Sequence, residues 1–166
     1  MSYSIAEINS LNHDEFIKIV GPVFEHSPWI AKRGHASKPF ESGKHLHATL
    51  RHIVENASPG EQMSLIKAHP DLVGRVVLTA ESQGEQTAAG LINLTSDEIS
   101  TFNRYNHEYK ARFDFPFVIC ARKNKKEAIL AAFPKRLLNS TEVEQKTALN
   151  EIYQIALIRI NDLIAS

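Results

Sequence analysis

The sequence predicts an all-α protein, on three observations: repeated helix-start signatures, apolar residues at helical spacing behind them, and few strand-like segments. In a capping box a Ser, Thr or Asn accepts from the amide three residues on, and a Glu there reaches back to the cap's own N–H. Asn12-His-Asp-Glu15 has this form, and Phe16, Ile19, Val20 and Val23 follow as a stripe broken near Gly21-Pro22. Leu46, Leu50, Ile53 and Val54 form a second stripe. Ser58-Pro-Gly-Glu61 opens the next helix, with Pro59 at its favoured first position. Ser82-x-x-Glu85 and Thr95-Ser-Asp-Glu98 repeat the box, the latter leading into Ile99, Phe102, Tyr109 and Phe113. Thr141-Glu-Val-Glu144 starts the longest segment, whose broad face carries Leu149, Ile152, Ile155, Ala156, Ile160 and Leu163. Only Phe115 to Ala121 and Val76 to Leu78 have β-type composition, and one isolated strand has nothing to pair with. The expectation is a bundle of seven or eight helices with one extended segment near 115–121. No repeat or Pro/Gly-rich linker interrupts it, so residues 1–166 are read as a single domain.

Composition narrows the function. With 43% hydrophobic and 23% charged residues the chain reads as globular. Nineteen basic residues balance nineteen acidic ones, which argues against nucleic acid as a partner, since phosphate binding needs a basic excess. The local cluster Arg122-Lys123-Asn124-Lys125-Lys126 is read as a solvated loop or helix start. A single cysteine, Cys120, rules out an intrachain disulfide and fits a reducing compartment. There is no signal-peptide pattern, no apolar run near the ~20 residues of a membrane span, and no peroxisomal ending in Ile164-Ala165-Ser166. The expectation is a cytoplasmic protein with no membrane partner.

Eight histidines raise the question of a metal. His45 and His52 share a helical face but His47 points elsewhere, and neither HExxH nor CxxC occurs, so no metal site is expected. His69 is more informative. Pro70 denies it an easy α conformation, which places it where the helix from Ser58 stops. By itself that fits a helix-terminal residue as well as a functional one. Ser82, Gln83, Gly84, Glu85 and Gln86 concentrate polar groups at a presumed helix start, suited to capping and equally to binding a polar ligand. Phe117, Val118, Ile119, Cys120 and Ala121, if extended, leave backbone groups that must meet water, side chains or a ligand; a short buried helix would satisfy itself. Arg159 falls within or beside the apolar stripe of the last helix, placed either to reach solvent along its stem or to hold a carboxylate.

Taken in order, Ala68-His69-Pro70-Asp71-Leu72, Ser82-x-x-Glu85-Gln86-x-x-Ala89-Gly90-Leu91, Asn106-x-x-Tyr109-x-x-Arg112-Phe113 and Phe115-Pro116-Phe117-Val118-Ile119 resemble the 2-oxo-4-hydroxy-4-carboxy-5-ureidoimidazoline (OHCU) decarboxylase family. The resemblance spans essentially the whole chain. It departs at Asp114, where the family usually has Gly, and has Arg112 where Lys is common. It implies an all-helical homodimeric carboxy-lyase with neither metal nor organic cofactor, forming (S)-allantoin at the end of urate oxidation. By motif it implies His69 as catalytic acid and Glu85 as the group that polarises the substrate. It likewise implies Ser82, Gln83, Gly84, Gln86 and Arg159 as ligands, with Pro70 and the backbone of Phe117, Val118, Ile119, Cys120 and Ala121 lining the ring. The competing readings are a non-catalytic helical interaction module and a ureide hydrolase, for which no convincing ligand set for a water-activating metal exists.

Overall fold

The computed structural model describes residues 2–74 and 78–165. Among them are nine α-helices, three short 3-10 turns and no strand, the one β-type contact being a lone parallel bridge between Tyr3 and Ile164. The all-α expectation holds; the helices beyond the expected number include two of only six residues. The strand-like reading of Val76 to Leu78 falls mostly outside the described residues. The chain divides into two units, one running up to Ala68 and resuming at Tyr153, the other comprising His69–Ile152.

In the first unit α1 (Ile5–Ser10), α2 (His13–Val20), α3 (Trp29–Gly34), α4 (Gly43–Glu55) and α5 (Pro59–Lys67) are joined by the end of α9 (Thr141–Leu163). The boxes at Asn12 and Ser58 form as expected, and a further one at Ser4 caps α1. The core is Ile8, Phe16, Val20, Ile30, Leu46, Leu50, Val54, Leu65 and Ile160, all essentially without exposure. Gly34 sets how closely α3 approaches α4, since an added Cβ would lie 2.5 Å from Leu50 Cδ2. The Tyr3 N–H donates to Leu163 O and the Ala165 N–H to Tyr3 O, both at 2.8 Å, so the two ends of the unit are laced together.

The second unit holds α6 (Ala80–Ala88), α7 (Ser96–Phe113), α8 (Lys126–Leu137) and the start of α9. Its core is aromatic: Phe117 stacks on Phe133 with ring centroids 3.8 Å apart, Tyr105 stacks on the same ring, and Tyr109 meets Phe117 edge-on. The Thr95 box caps α7. At its other end the C-cap is Asp114, with φ +61° in the left-handed region. That accounts for the departure noted above: the position needs αL backbone, which Gly adopts freely and Asp tolerates better than most side chains.

Candidate active site

Three stretches of the second unit carry most of the residues singled out in the sequence. The first follows α5. That helix ends at Lys67, the Ala68 N–H closes it onto the Ser64 and Leu65 carbonyls, and His69 follows outside it, 9% exposed. The three residues after Pro70 are each held. Lys110 Nζ pairs with Asp71 Oδ2 at 2.6 Å, Asn106 Nδ2 donates to Leu72 O at 2.8 Å, and the Val73 N–H donates to Gln86 Oε1 at 3.2 Å. Val73 has φ +59°. Left-handed backbone costs an L-residue about 1–2 kcal/mol and persists where surrounding contacts over-determine it.

The second stretch is α6, and here one expectation is corrected. The helix begins a turn earlier than the Ser82-x-x-Glu85 box implied, because the Thr79 hydroxyl caps it by accepting from the Ser82 N–H at 3.1 Å. Ser82 and Glu85 are therefore interior residues. With Gln86 and Ala89 they share one face at i, i+3, i+4 and i+7, where Ser82, Gln86 and Ala89 are 6%, 8% and 1% exposed. A helix that buries serine and glutamine is organised around polar contacts. Gln83 and Gly84 face the other way, exposed, and an added Cβ on Gly84 would meet nothing within 4 Å. Gly90, at φ +85°, ends the helix in a Schellman motif: its N–H donates to Thr87 O and the Leu91 N–H to Gln86 O. Lys125 Nζ and the Lys126 N–H then donate to Ala88 O and Ala89 O at 2.9 and 3.0 Å, tying α6 to the chain beyond the third stretch.

That third stretch, 115–121, is buried at every residue and irregular through Cys120, after which Ala121–Lys123 form a 3-10 turn. Its backbone groups meet side chains. Arg136 Nη1 donates to Val118 O at 2.6 Å, the Cys120 N–H donates to Glu151 Oε1 at 3.1 Å, and Asn124 Nδ2 donates to Cys120 O at 2.9 Å. Arg136 is itself buried, lying over the Phe117 ring at 4.1 Å and donating from Nε to Glu144 Oε1 at 2.7 Å. Glu144 also accepts from the Tyr109 hydroxyl at 2.5 Å and from Asn139 Nδ2 at 2.9 Å. The expected box at Thr141 is thus a second correction. The Ser140 hydroxyl accepts from the Val143 N–H at 3.2 Å and caps α9 one residue earlier, which turns Glu144 inward to complete burial. Burial, reinforced by the hydrogen bond to Glu144, pushes the Tyr109 phenol up. Burial also pushes the Cys120 thiol up, with Glu151 and Glu85 acting in the same direction. Cys120 therefore stays a thiol, and the Glu85 carboxylate lies within the electrostatic reach of this stretch.

Arg159 belongs to the first unit and is 7% exposed. Its Nη2 donates to Glu25 Oε2 at 2.8 Å and its Nη1 to Pro22 O at 3.0 Å, so the guanidinium is buried against the turn that carries Pro22 and Glu25 and does not extend into solvent. Of the α4 histidines, His47 Nε2 donates to Tyr153 O at 2.8 Å, while His45 Nδ1 accepts from the Glu41 N–H. Burial lowers the His47 pKa. Among the described residues no three His, Cys, Asp or Glu side chains are grouped as a metal would need, and no helix is long and apolar enough to cross a membrane. A cavity of about 360 Å³ opens beside the 71–74 loop, lined by Asp71, Gly74, Asn103, Asn106, His107 and Lys110. Neither His69 nor Glu85 lines it, whereas Asp71 of the clamped loop and the clamping Asn106 and Lys110 do.

Comparison with known proteins bears on what these stretches do. The sequence model of the family described as OHCU decarboxylase matches residues 9–161. The chain is 38% identical to the 2-oxo-4-hydroxy-4-carboxy-5-ureidoimidazoline decarboxylase of Haloferax volcanii, covering 98% of this chain and 97% of that one. It is 40% identical to the protein of the same name from Amia calva, covering 95% and 93%. Among solved structures, that of an (S)-allantoin synthase superposes with a TM-score of 0.78 at 27% identity over 98% of this chain; the chain spans about half of that protein, 54%.

Proposed function

The chain belongs to the OHCU decarboxylase family, and from that premise we propose that it is a carboxy-lyase converting OHCU to (S)-allantoin, the last step from urate. The observation that carries the reading is a family match running unbroken from residue 9 to 161, with relatives of that name covered over nearly their full length. The same continuity supports treating 1–166 as one functional domain. The reaction breaks the bond between the ring carbon and its carboxylate. The electron pair passes into the substrate's own conjugated C=N and C=O groups and carbon dioxide departs; the hydroxyl-bearing carbon becomes a carbonyl as its O–H proton leaves, and protons arrive at the ring nitrogen and at the neighbouring carbon that carries the ureido group. Because the substrate is its own electron sink, neither a metal nor an organic cofactor is needed.

His69 is the proton donor in this reading. An imidazole suits proton transfer near neutral pH, and a single donor on one face accounts for a single-handed product. Supporting this are its near-burial and the three clamps on the loop that follows it. Glu85 polarises the substrate's polar edge, flanked on the same helical face by Ser82 and Gln86, while Pro70 and the 117–121 backbone line the ring. The protein acts as a cytoplasmic homodimer, which sedimentation of the purified protein tests.

The activity test follows circular dichroism while urate is converted by an oxidase and a hydrolase, with and without this protein. Fast growth of one-handed allantoin that survives chelator treatment is expected. Slow racemic product at the protein-free rate would overturn the proposal and favour a helical interaction module. The role of His69 is tested separately, since His69→Ala should lose both rate and handedness.

A further inference from the structure

The residue that follows His69 and Pro70 at closest structural constraint is Leu72, and what constrains it is buried on another helix. Proline fixes its own φ, so few soft dihedrals separate the backbone of His69 from the Leu72 carbonyl. Whatever holds that carbonyl also limits where His69 can stand. Of the three clamps on the loop, the Lys110–Asp71 pair is the weakest candidate, because its side chains are 48% and 26% exposed and water competes for both. The Val73–Gln86 bond is the longest, at 3.2 Å. Asn106 differs from both: it is 94% buried on the inner face of α7, and its Nδ2 donates to Leu72 O at 2.8 Å. Its Oδ1 is buried with no hydrogen-bond partner among the described residues. An amide that makes one good bond while burying an unmatched acceptor is a poor stabilising device. Its clear effect is on the position of the loop.

We infer that Asn106 is a positioning residue, holding His69 in register for proton delivery through its bond to the Leu72 carbonyl. The inference rests on the reading of His69 as proton donor, and the experiment separates the two. It compares wild type, Asn106→Ala, His69→Ala and the double variant by kcat, KM, enantiomeric excess of allantoin and thermal melting. Displacing a reacting group by about an ångström can cost up to about 100-fold. Asn106→Ala is expected to lower kcat about tenfold with KM within about twofold, and to yield partly racemic product. The double variant is expected to be no slower than His69→Ala, because a residue acting through His69 has nothing left to act on.

Wild-type kcat and handedness in folded Asn106→Ala would overturn the inference alone. So would a double variant slower than His69→Ala by the full Asn106→Ala factor, which would mark Asn106 as a general structural residue. If His69→Ala itself keeps full rate and single-handed product, the reading beneath falls and takes the inference with it. Should Asn106→Ala melt below the assay temperature, Asn106→Asp keeps the size, removes the donated proton and carries the same expectation.

Discussion

Among the described residues each unit of this protein buries an arginine–glutamate pair, Arg136–Glu144 in one and Arg159–Glu25 in the other, and the two pairs are built differently. Arg136 reaches three separate segments: Glu144 on α9, Val118 in the irregular stretch and, at 3.4 Å, the Tyr109 hydroxyl on α7. The described partners of Arg159, Pro22 and Glu25, lie three residues apart on one turn, where His26 takes φ +46°. One guanidinium joins distant parts of the chain, whereas the bonds described for the other fasten the turn of Pro22 and Glu25 onto a helix. Burial and charge are alike in the two. What a buried arginine does depends on how many independent segments its donors reach.

The comparison can be broken most sharply at Arg136. Arg136→Met strands a fully buried carboxylate, and breaking such a pair costs about 3–5 kcal/mol. Urea denaturation should show that loss, and hydrogen exchange should speed up in α7, in 115–121 and at the start of α9 together. Glu25→Gln keeps an acceptor but removes the charge opposite Arg159, so about 1.5–3 kcal/mol is expected. Here faster exchange should be confined to the 21–27 turn. If both variants loosen their whole unit equally, the distinction between joining and fastening fails.

Two smaller effects sharpen it. Asp114→Gly relieves left-handed strain at the end of α7 and should raise stability by about 0.5–1 kcal/mol, while Asp114→Val should lower it. A thermal melt of each reads the sign. His47 gives the first unit one source of pH dependence. Burial holds its folded pKa below the unfolded value, so its contribution is present above the unfolded pKa and is lost as pH falls toward the folded one. Wild type should therefore weaken on acidification through that window, and His47→Gln should flatten that part of the profile.

Much of the helical framework was legible because its signals are local. The boxes at Asn12, Ser58 and Thr95 place both partners within four residues, so nothing distant can overrule them. The two that failed had a competing hydroxyl upstream: Thr79 took over α6 and Ser140 took over α9. The proline after His69 located that residue correctly, since the constraint is between neighbours. Arg136, Glu151 and Asn124 could not be found this way. Their partners lie 18, 31 and 4 residues away on backbone atoms that carry no sequence identity, and Pro134 inside α8 obscures the helix on which Arg136 stands. Glu144 reads as a cap in the sequence because its partners Asn139, Arg136 and Tyr109 lie 5, 8 and 35 residues away. Gln86 was read as a substrate ligand from its position in a motif, and its bond to the Val73 N–H emerges only once the loop and α6 are folded.

The lacing of residue 3 to residues 163 and 165 has a consequence for synthesis on the ribosome. The second unit is one uninterrupted stretch, whereas the first cannot close until the end of α9 has emerged. At roughly 5–20 residues per second, the 84 residues from His69 to Ile152 take about 4–17 s to translate. During that interval α1 to α5 wait without Ile160 and its neighbours to cover them. Nascent chains halted just before Tyr153 should accordingly be caught by chaperones, and those released a few residues after Leu163 should escape.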